Sequence, residues 1–122
     1  MDIESLREYC LAKNKATEGF PFDKNTLVFK VLGKMFALFP LDKWDKGEAS
    51  VMLKCDPERT VELREQYEEV RPGFHMNKKH WNTVSFEGSL EEDLLCELID
   101  HSYDLVVKGL RKKDRALLEE LD

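Results

Sequence analysis

The feature that most constrains the fold is a pair of short apolar runs, residues 27–32 and 35–39, separated only by Gly33 and Lys34. Between them the runs hold two valines and three phenylalanines, side chains that favour β-strands. A two-residue Gly-X loop between strands is typical of a β-hairpin, because glycine adopts the positive φ that a type II′ turn requires. Apolar residues occupy both faces of the two strands, so we expect the hairpin to lie in the middle of a sheet.

The amino-terminal segment has the periodicity of an amphipathic helix. Ile3, Leu6 and Cys10 fall on one stripe within residues 2–13, which predicts a helix there. Residues 15–26 contain a glycine and a proline that interrupt this periodicity. We therefore interpret them as a loop that carries two phenylalanines.

A third strand and a second helix are predicted after a polar loop. Residues 40–49 are the loop and residues 50–55 are the strand. Asp56 and Pro57 form a helix start, because aspartate can cap free amide groups and proline is tolerated at the first helical position. The helix is expected to end near residue 69, ahead of a proline. Two of its side chains are expected to point inward, namely Val61 and Tyr67.

A second hairpin is predicted within the stretch RPGFHMNKKHWNTV, residues 71–84. Residues 73–76 and 81–86 are short extended runs, and residues 77–80 form the turn between them. This stretch holds two of the three histidines and one of the two tryptophans, and it contains no acid. We therefore expect a hairpin with a basic tip.

The longest helix is predicted to start at a capping box, S-x-x-E, formed by Ser89 and Glu92. Gly109 is expected to end this helix. Its inward stripe consists of Leu95, Ile99, Ser102 and Val106. A last short helix is expected to follow, with apolar residues at Ala116, Leu117, Leu118 and Leu121.

The predicted elements follow the order α-β-β-β-α-β-β-α-α in a single domain that spans residues 1–122. Strands and helices do not alternate one for one, which favours an α+β fold over a doubly wound α/β fold. We expect two layers, with the helices packed on one face of an antiparallel sheet.

Charge is distributed unevenly along the chain, whose net charge is −6. Residues 56–70 carry six acids and two arginines, and residues 87–104 carry seven acids and no lysine or arginine. Lysines and arginines instead cluster on the predicted strands and turns. We expect a bipolar molecule, with acidic helices on one side and basic strands and loops on the other.

The cysteines and the amino terminus indicate a cytoplasmic protein. Cys10, Cys55 and Cys96 are widely spaced and odd in number, which favours reduced thiols over a disulfide framework. The amino terminus has no apolar signal-peptide core, and no apolar run approaches the ~20 residues that span a bilayer. We therefore expect no membrane contact.

Motifs for catalysis or metal binding are missing from the sequence. His75 and His80 are five residues apart, but the second pair of ligands that a zinc site usually brings is absent. No nucleophile elbow, P-loop or dinucleotide-binding glycine pattern occurs. We expect a non-enzymatic protein that uses neither a metal nor a cofactor.

The basic and aromatic residues of the second hairpin are the candidate binding site. Lys78, Lys79 and His80 offer contacts to phosphates. Trp81 offers a stacking surface, and Asn82 offers an amide for base edges. The structural alternative is that Trp81 packs inward at the start of a strand while the lysines only solvate a turn.

Several segments together resemble the MmcQ/YjbR family of small bacterial proteins. They are TEGFPF (17–22), LVFKVLGKMFAL (27–38), the pair His80-Trp81, and SYDLV (102–106) followed by KGLRKK. The resemblance implies a compact α+β domain of order α-β(3)-α-β(2)-α, similar to a double-wing DNA-binding arrangement, and it brings no catalytic residues. If the two hairpins are the wings, Lys34 and His80-Trp81 are their contact points.

Three functions remain open at this point. The leading hypothesis is a DNA-binding protein whose contacts are Lys34, Lys78, Lys79, His80, Trp81 and Asn82. The second is a protein-interaction module, in which the sheet or the acidic helices meet another polypeptide. The third is a small-molecule pocket between GFPF (19–22) and Trp81. The sequence assigns no oligomeric state.

Overall fold

A computed structural model of the chain describes residues 2–73, 76–86 and 90–119. The described residues form five helices and six strands. In chain order these are α1 Ile3–Leu11, β1 Ala16–Gly19, β2 Thr26–Val31, β3 Lys34–Pro40, α2 Leu41–Trp44, β4 Ser50–Lys54, α3 Pro57–Gln66, β5 Val70–Pro72, β6 Trp81–Ser85, α4 Glu92–Lys108 and α5 Lys112–Glu119.

The strands form one antiparallel sheet in the order β1-β2-β3-β4-β6-β5. One face of the sheet packs against α1, α3 and α4, and the side chains between the two layers form a single apolar core. Leu6 of α1, Leu63 of α3 and Ile99 of α4 all belong to this core, together with Phe29 and Val51 of the sheet. The predicted α+β fold, with helices on one face of an antiparallel sheet, is confirmed.

The first hairpin pairs β2 with β3 and lies in the interior of the sheet, as its apolar pattern predicts. Its turn residues are Leu32 and Gly33, one position earlier than expected, and Val31 pairs with Lys34. Both turn residues have positive φ, 47° and 83°. This is the backbone of a type I′ turn, in place of the predicted type II′, because type I′ requires positive φ at both central positions.

Two short elements occur where loops were expected. Residues 15–26 contain β1, a four-residue strand at the edge of the sheet that pairs with β2. Residues 40–49 contain α2, a single turn of helix that ends at Trp44. The Trp44 indole donates to the Ser50 carbonyl at 2.9 Å and contacts the rings of Phe39 and Phe86. Tertiary contacts of this kind stabilise elements that are too short to carry a periodic pattern of their own.

Helix α3 begins as predicted, because the Asp56 carboxylate accepts from the backbone amides of Glu58 and Arg59. It ends at Gln66, three residues earlier than expected. The prediction that Val61 points inward is wrong, since that side chain is 58% exposed. The inward positions are Thr60 and Leu63, while Tyr67 packs partly against the core. The Asp56 cap, with Pro57 as the first helical residue, fixes where the helix starts, and with this start Val61 points toward solvent.

The second hairpin exists, but its first strand is β5, which precedes the predicted run at 73–76. Within that run Phe74 and His75 lie outside the described residues. Gly73 donates its amide to the Trp81 carbonyl at 2.9 Å. A Cβ at Gly73 would lie 2.9 Å from the Trp81 Cβ, so the close approach of the two strands here requires glycine.

The long helix α4 starts later than predicted. Glu92 is the first helical residue, and the N-cap Glu91 makes no side-chain capping hydrogen bond. Ser89, the predicted cap, lies outside the described residues. The predicted inward stripe is confirmed at every position, Leu95, Ile99, Ser102 and Val106. Gly109 ends α4 as predicted. In α5, Leu118 packs partly on the core, and Leu121 lies outside the described residues. Across the described ranges, no helix combines the length and apolar character needed to cross a bilayer.

The sheet surface opposite the helices is called the open face below. Directly opposed residues of antiparallel strands point to the same side, so the register defines a row across all six strands. The members of this row are Gly19, Val28, Leu38, Met52, Thr83 and Arg71. Parallel to it lie Thr17, Lys30 and Met35, and the pair Lys54 and Trp81. None of these residues belongs to the core beneath the helices.

Candidate functional site

The site starts from a break in the sheet between β3 and β4. These strands share only two residue pairs, Ala37 with Leu53 and Leu38 with Met52. The register between β2 and β3 shifts at this level, which leaves Phe36 as an extra residue in β3. Because such a bulge bends its strand and interrupts pairing, β3 separates from β4 on its way to the first hairpin.

Ser102 of α4 fills this break with its hydroxyl group. The Ser102 Oγ donates to the Phe36 carbonyl at 2.6 Å and accepts from the Lys54 amide at 2.9 Å. The side chain is fully buried. One hydroxyl thus satisfies a carbonyl of β3 and an amide of β4 that have lost their ladder partners.

Beyond Ser102 the two strands leave a cleft of about 310 Å³ that is called the β3–β4 cleft below. Its lining comes from both strands, from β6 and from the end of α4: Lys34, Met35, Lys54, Trp81, Val106 and Gly109. The structure therefore brings two sequence-predicted site residues, Lys34 and Trp81, to one place. It adds Lys54, which was not predicted as a site residue.

The two tryptophans have different surroundings. Trp44 stacks against core rings and donates its indole N–H to a carbonyl. Trp81 is half-buried and lies outside the core. In the described part of the chain its ring has no aromatic neighbour. Of the two interpretations of Trp81, this placement favours the one in which its side chain faces a ligand-accessible surface.

The basic turn between β5 and β6 is anchored by Arg64 of α3. The Arg64 guanidinium donates to the carbonyl of Lys78 at 2.6 Å and to that of Trp81 at 3.3 Å. Lys78 and Lys79 are exposed and His80 is half-buried. The turn therefore presents Lys79 to solvent from a backbone that is fixed to a helix, while the Lys78 ammonium also donates to the Gly73 carbonyl at 3.5 Å.

Asn82 is removed from the predicted contact set by its burial. Its side chain is 1% exposed, accepts from the Arg64 Nε at 2.9 Å and donates to the Thr60 hydroxyl at 3.2 Å. Both ends of the amide are thus used inside the protein. Asn82 links α3 to β6, and the prediction that it contacts base edges is wrong.

The strands carry almost no negative charge. Their single carboxylate is Glu18, which the register places on the helix side, opposite Phe29. It forms an ion pair with Arg7 of α1, with a hydrogen bond of 2.7 Å, and the Arg7 guanidinium lowers the pKa of Glu18. The open face instead carries the cations Lys30, Lys54 and Arg71.

Sequence reasoning did not select these three cations as a site. Their common signal is alternation, since Lys30 lies between Phe29 and Val31 and Lys54 lies between Leu53 and Cys55. In a strand, such alternation places the cation opposite the buried neighbours. Placing three strands side by side, however, requires the register, which the sequence alone does not give.

The thiols and the third histidine have surroundings that suit structure better than reactivity. Burial raises the pKa of Cys10 to about 12 and raises those of Cys55 and Cys96. His101 Nε2 accepts from the Asp56 amide at 3.2 Å, and burial lowers the pKa of the imidazole, assisted by nearby Arg59. Among the described residues no group of three or more candidate metal ligands occurs.

The third sequence hypothesis, one pocket between GFPF and Trp81, is wrong. Phe20 lines a separate groove of about 270 Å³ at the β1 edge, together with Val28 and Lys30. Trp81 is four strands away in the sheet. Four strand spacings correspond to roughly 19 Å, too far for one small pocket.

Comparisons with known proteins extend over nearly the whole chain. The YjbR family model matches residues 11–105. Protein YjbR of Escherichia coli K12 is 37% identical over 121 residues, with 99% of this chain and 100% of that protein covered. Protein YbdF of Escherichia coli O157:H7 is 39% identical, with 94% of this chain and 95% of that protein covered.

Two solved structures have the same fold. The crystal structure of Deinococcus radiodurans protein DR2400, a DUF419 domain, matches with a TM-score of 0.86 and 42% identity over 98% of this chain and 89% of that one. A Pseudomonas syringae protein matches with a TM-score of 0.72 and 30% identity over 86% of this chain and 98% of that one.

Proposed function

This chain belongs to the YjbR family, and on that premise we propose that it is a cytoplasmic, non-enzymatic protein that binds DNA through its open face. The observation that carries the proposal is the segregation of charge. The open face combines Lys30, Lys54 and Arg71 with no strand carboxylate. Phosphate contacts supply most of the affinity in non-specific DNA binding, so unpaired cations on one surface support this role.

The three cations are not engaged in ion pairs with described residues, although Glu48 lines the same surface groove as Arg71. Within the described ranges none of Lys30, Lys54 and Arg71 forms an ion pair. The acids of α3 and α4 lie in the other layer, and some are already neutralised there, as Glu97 is by Arg59. A net charge of −6 therefore does not preclude a local basic surface, although it limits long-range attraction.

The basic turn adds cations beside this surface, and the first hairpin adds one in the adjoining cleft, since Lys34 pairs with the core residue Val31 and not with an open-face residue. Lys34 lies at the start of β3 and shares the β3–β4 cleft with Lys54. Lys78 and Lys79 project from the anchored turn that precedes β6. Asn82 takes no part, because its amide is buried.

A binding role without chemistry is supported by the state of the potential nucleophiles. The thiol of Cys10 is buried and its pKa is raised to about 12, so the thiolate that acts as a nucleophile is scarce near neutral pH. His101, with its lowered pKa, is engaged with a backbone amide.

Fluorescence anisotropy with labelled random-sequence duplex and single-stranded DNA at low salt tests the proposal. If Lys30, Lys54 and Arg71 each neutralise one phosphate, log K should fall with log salt with a slope of about −3. The variant Lys30→Gln/Lys54→Gln/Arg71→Gln should lose most of the affinity and most of this slope.

The matched control is Lys112→Gln/Lys113→Gln/Arg115→Gln on α5. It also removes two lysines and one arginine, here from exposed positions of a helix. It should retain most of the affinity. Equal losses in both triple variants would show that only net charge matters. If neither DNA binds at about 100 µM protein, the weak end of usual non-specific affinities, the proposal is wrong.

Protein recognition is a second candidate, favoured by apolar exposure beside the open face. Phe20 and Phe22 are 49% and 63% exposed, and Phe20 shares its groove with Val28. Exposed apolar clusters of this kind mark interaction surfaces. Phe20→Ser/Phe22→Ser should then abolish a dimer seen by light scattering or a partner retained after nuclease treatment. A monomeric wild-type protein without such a partner would argue against this candidate.

A further inference from the structure

The β3–β4 cleft has the composition of a ligand site. Its volume of about 310 Å³ is at the low end of the roughly 300–1,000 Å³ common for small-molecule sites. Met35 and Val106 contribute apolar surface, Trp81 contributes an aromatic ring, and two lysines contribute positive charge. None of the described residues that line it is a carboxylate.

Among the described residues, the charged and aromatic groups of the cleft have no ion-pair or ring partner. In the described part of the chain Lys34 and Lys54 form no ion pair, and the Trp81 ring stacks on no other ring. Elsewhere in the described residues, every buried side-chain nitrogen or oxygen has a hydrogen-bond partner. In the β3–β4 cleft, cations without an ion pair therefore lie beside an aromatic ring that contacts no other described ring.

We propose that the β3–β4 cleft binds an aromatic ring that carries a phosphate group. The ring lies against Trp81, and the phosphate is held by Lys34 and Lys54. Every nucleobase has a π-face that can stack on an indole, and lysine ammonium groups are general phosphate contacts. The shared chemistry is that of a nucleotide, either free or as an unpaired residue of a nucleic-acid strand.

The electrostatics of the cleft determine the orientation of this ligand. Gly109 is the C-cap of α4, and the carboxyl end of a helix carries partial negative charge. A phosphate is therefore repelled from the Gly109 wall and attracted to the lysines on the strand side. The ring then occupies the remaining space beside Trp81, Met35 and Val106.

The cleft does not depend on DNA binding by the whole open face. A free mononucleotide could occupy it even if the sheet binds no DNA, so the inference goes beyond the proposed function. In the other direction, DNA could bind the open face through its phosphates alone and leave the cleft empty. The two proposals therefore fail under different results.

Two-dimensional ¹H–¹⁵N NMR of the full chain with adenosine monophosphate tests the inference. The chain has two tryptophans, so its two indole N–H signals report on the cleft and on the core separately. We expect the Trp81 indole signal and the amides of Lys34 and Lys54 to shift saturably, with a Kd tighter than about 1 mM. The Trp44 indole signal should remain in place.

Separate titrations with inorganic phosphate and with adenosine identify the required chemistry. Each should bind more weakly than the mononucleotide, because each has only one of the two features. If phosphate alone gives the same affinity with the Trp81 signal unmoved, the aromatic half of the proposal is overturned. If adenosine monophosphate produces no saturable shift up to about 10 mM, or moves only residues outside the cleft, the site does not exist.

A short oligonucleotide of four adenines distinguishes the source of the ligand. Shifts of the same cleft signals by both the oligonucleotide and the mononucleotide would support an unpaired strand residue as the ligand. Shifts by the mononucleotide alone would support a free nucleotide.

Variants separate the two halves of the site. Trp81→Leu should weaken adenosine monophosphate binding about fivefold or more, the usual effect of removing a stacking ring. Lys34→Gln and Lys54→Gln should each weaken it about threefold, whereas Lys24→Gln, an exposed lysine in the loop before β2, should have no effect. Unchanged affinity in both cleft lysine variants would remove the phosphate from the proposal.

Discussion

The hydroxyl of Ser102 connects the fold to the cleft, and its removal gives the sharpest test of the structure. In Ser102→Ala the Phe36 carbonyl loses its donor and the Lys54 amide loses its acceptor. A buried polar group left without a partner costs about 1–3 kcal/mol. With two such groups, and some access of water from the cleft, the free energy of unfolding should fall by about 2–4 kcal/mol.

Urea denaturation of wild type and Ser102→Ala measures this difference. At about 4 °C per kcal/mol for a domain of this size, it corresponds to a fall in Tm of roughly 8–16 °C. Amide hydrogen exchange supplies a local readout, because the Lys54 amide should exchange much faster once its acceptor is gone. Thr17→Ala, at an exposed position of β1, is the control and should change stability by about 0.5 kcal/mol or less.

The reasoning is refuted by a particular combination of results. If Ser102→Ala loses less than about 1 kcal/mol and the Lys54 amide keeps its protection, then β3 and β4 pair directly without the serine. The break in the sheet would then be closed in solution, and the cleft beside it would be lost.

Three further predictions follow from other contacts. Arg64→Met removes the guanidinium that donates to the Lys78 carbonyl and to the Asn82 side chain. It should lower the free energy of unfolding by about 1.5–3 kcal/mol and speed amide exchange in the turn between β5 and β6, whereas the control Arg115→Met should do neither. The pKa of His101 is lowered in the folded state. The stability contributed by the neutral imidazole is therefore fully present above the ordinary histidine pKa near 6.5 and is lost as pH falls through the folded pKa. Wild type should lose more Tm than His101→Gln between pH 8 and pH 5, and equal losses would contradict this. Lys15 has a positive φ of 57°, which asparagine tolerates better than lysine, so Lys15→Asn should raise the unfolding free energy by about 0.5 kcal/mol in urea denaturation, and a loss would contradict the strain.

The parts of the fold that the sequence predicts well are those with strong local patterns. The stripe from Leu95 to Val106 repeats at helical spacing over three turns, and the first hairpin combines apolar strands with a glycine turn. The α3 start is equally local, because Asp56 caps amides only two and three residues away. In each case the residues that determine the structure are neighbours in the chain.

The parts that could not be predicted depend on partners distant in sequence. Asn82 looks like a surface amide until Arg64 and Thr60 are placed around it. Strand β1 is too short to show alternation and is held by β2. Trp81 is indistinguishable from a core residue without the register that pairs it with Lys54. Predicting the candidate site therefore requires knowledge of the sheet order, whereas predicting the first hairpin requires only the local sequence.

The bulge at Phe36 makes the cleft depend on one residue, whose ring also packs in the core against Phe29 and Tyr103. Met35 pairs with Lys30 and Lys34 pairs with Val31 beyond the bulge, so a chain without Phe36 could keep the same turn and the same hairpin register. It would lose the bend that parts β3 from β4. Among relatives of this protein, a one-residue gap at this position would mark members in which the sheet is continuous, and comparing such members with this chain would separate the role of the cleft from that of the open face without any designed variant.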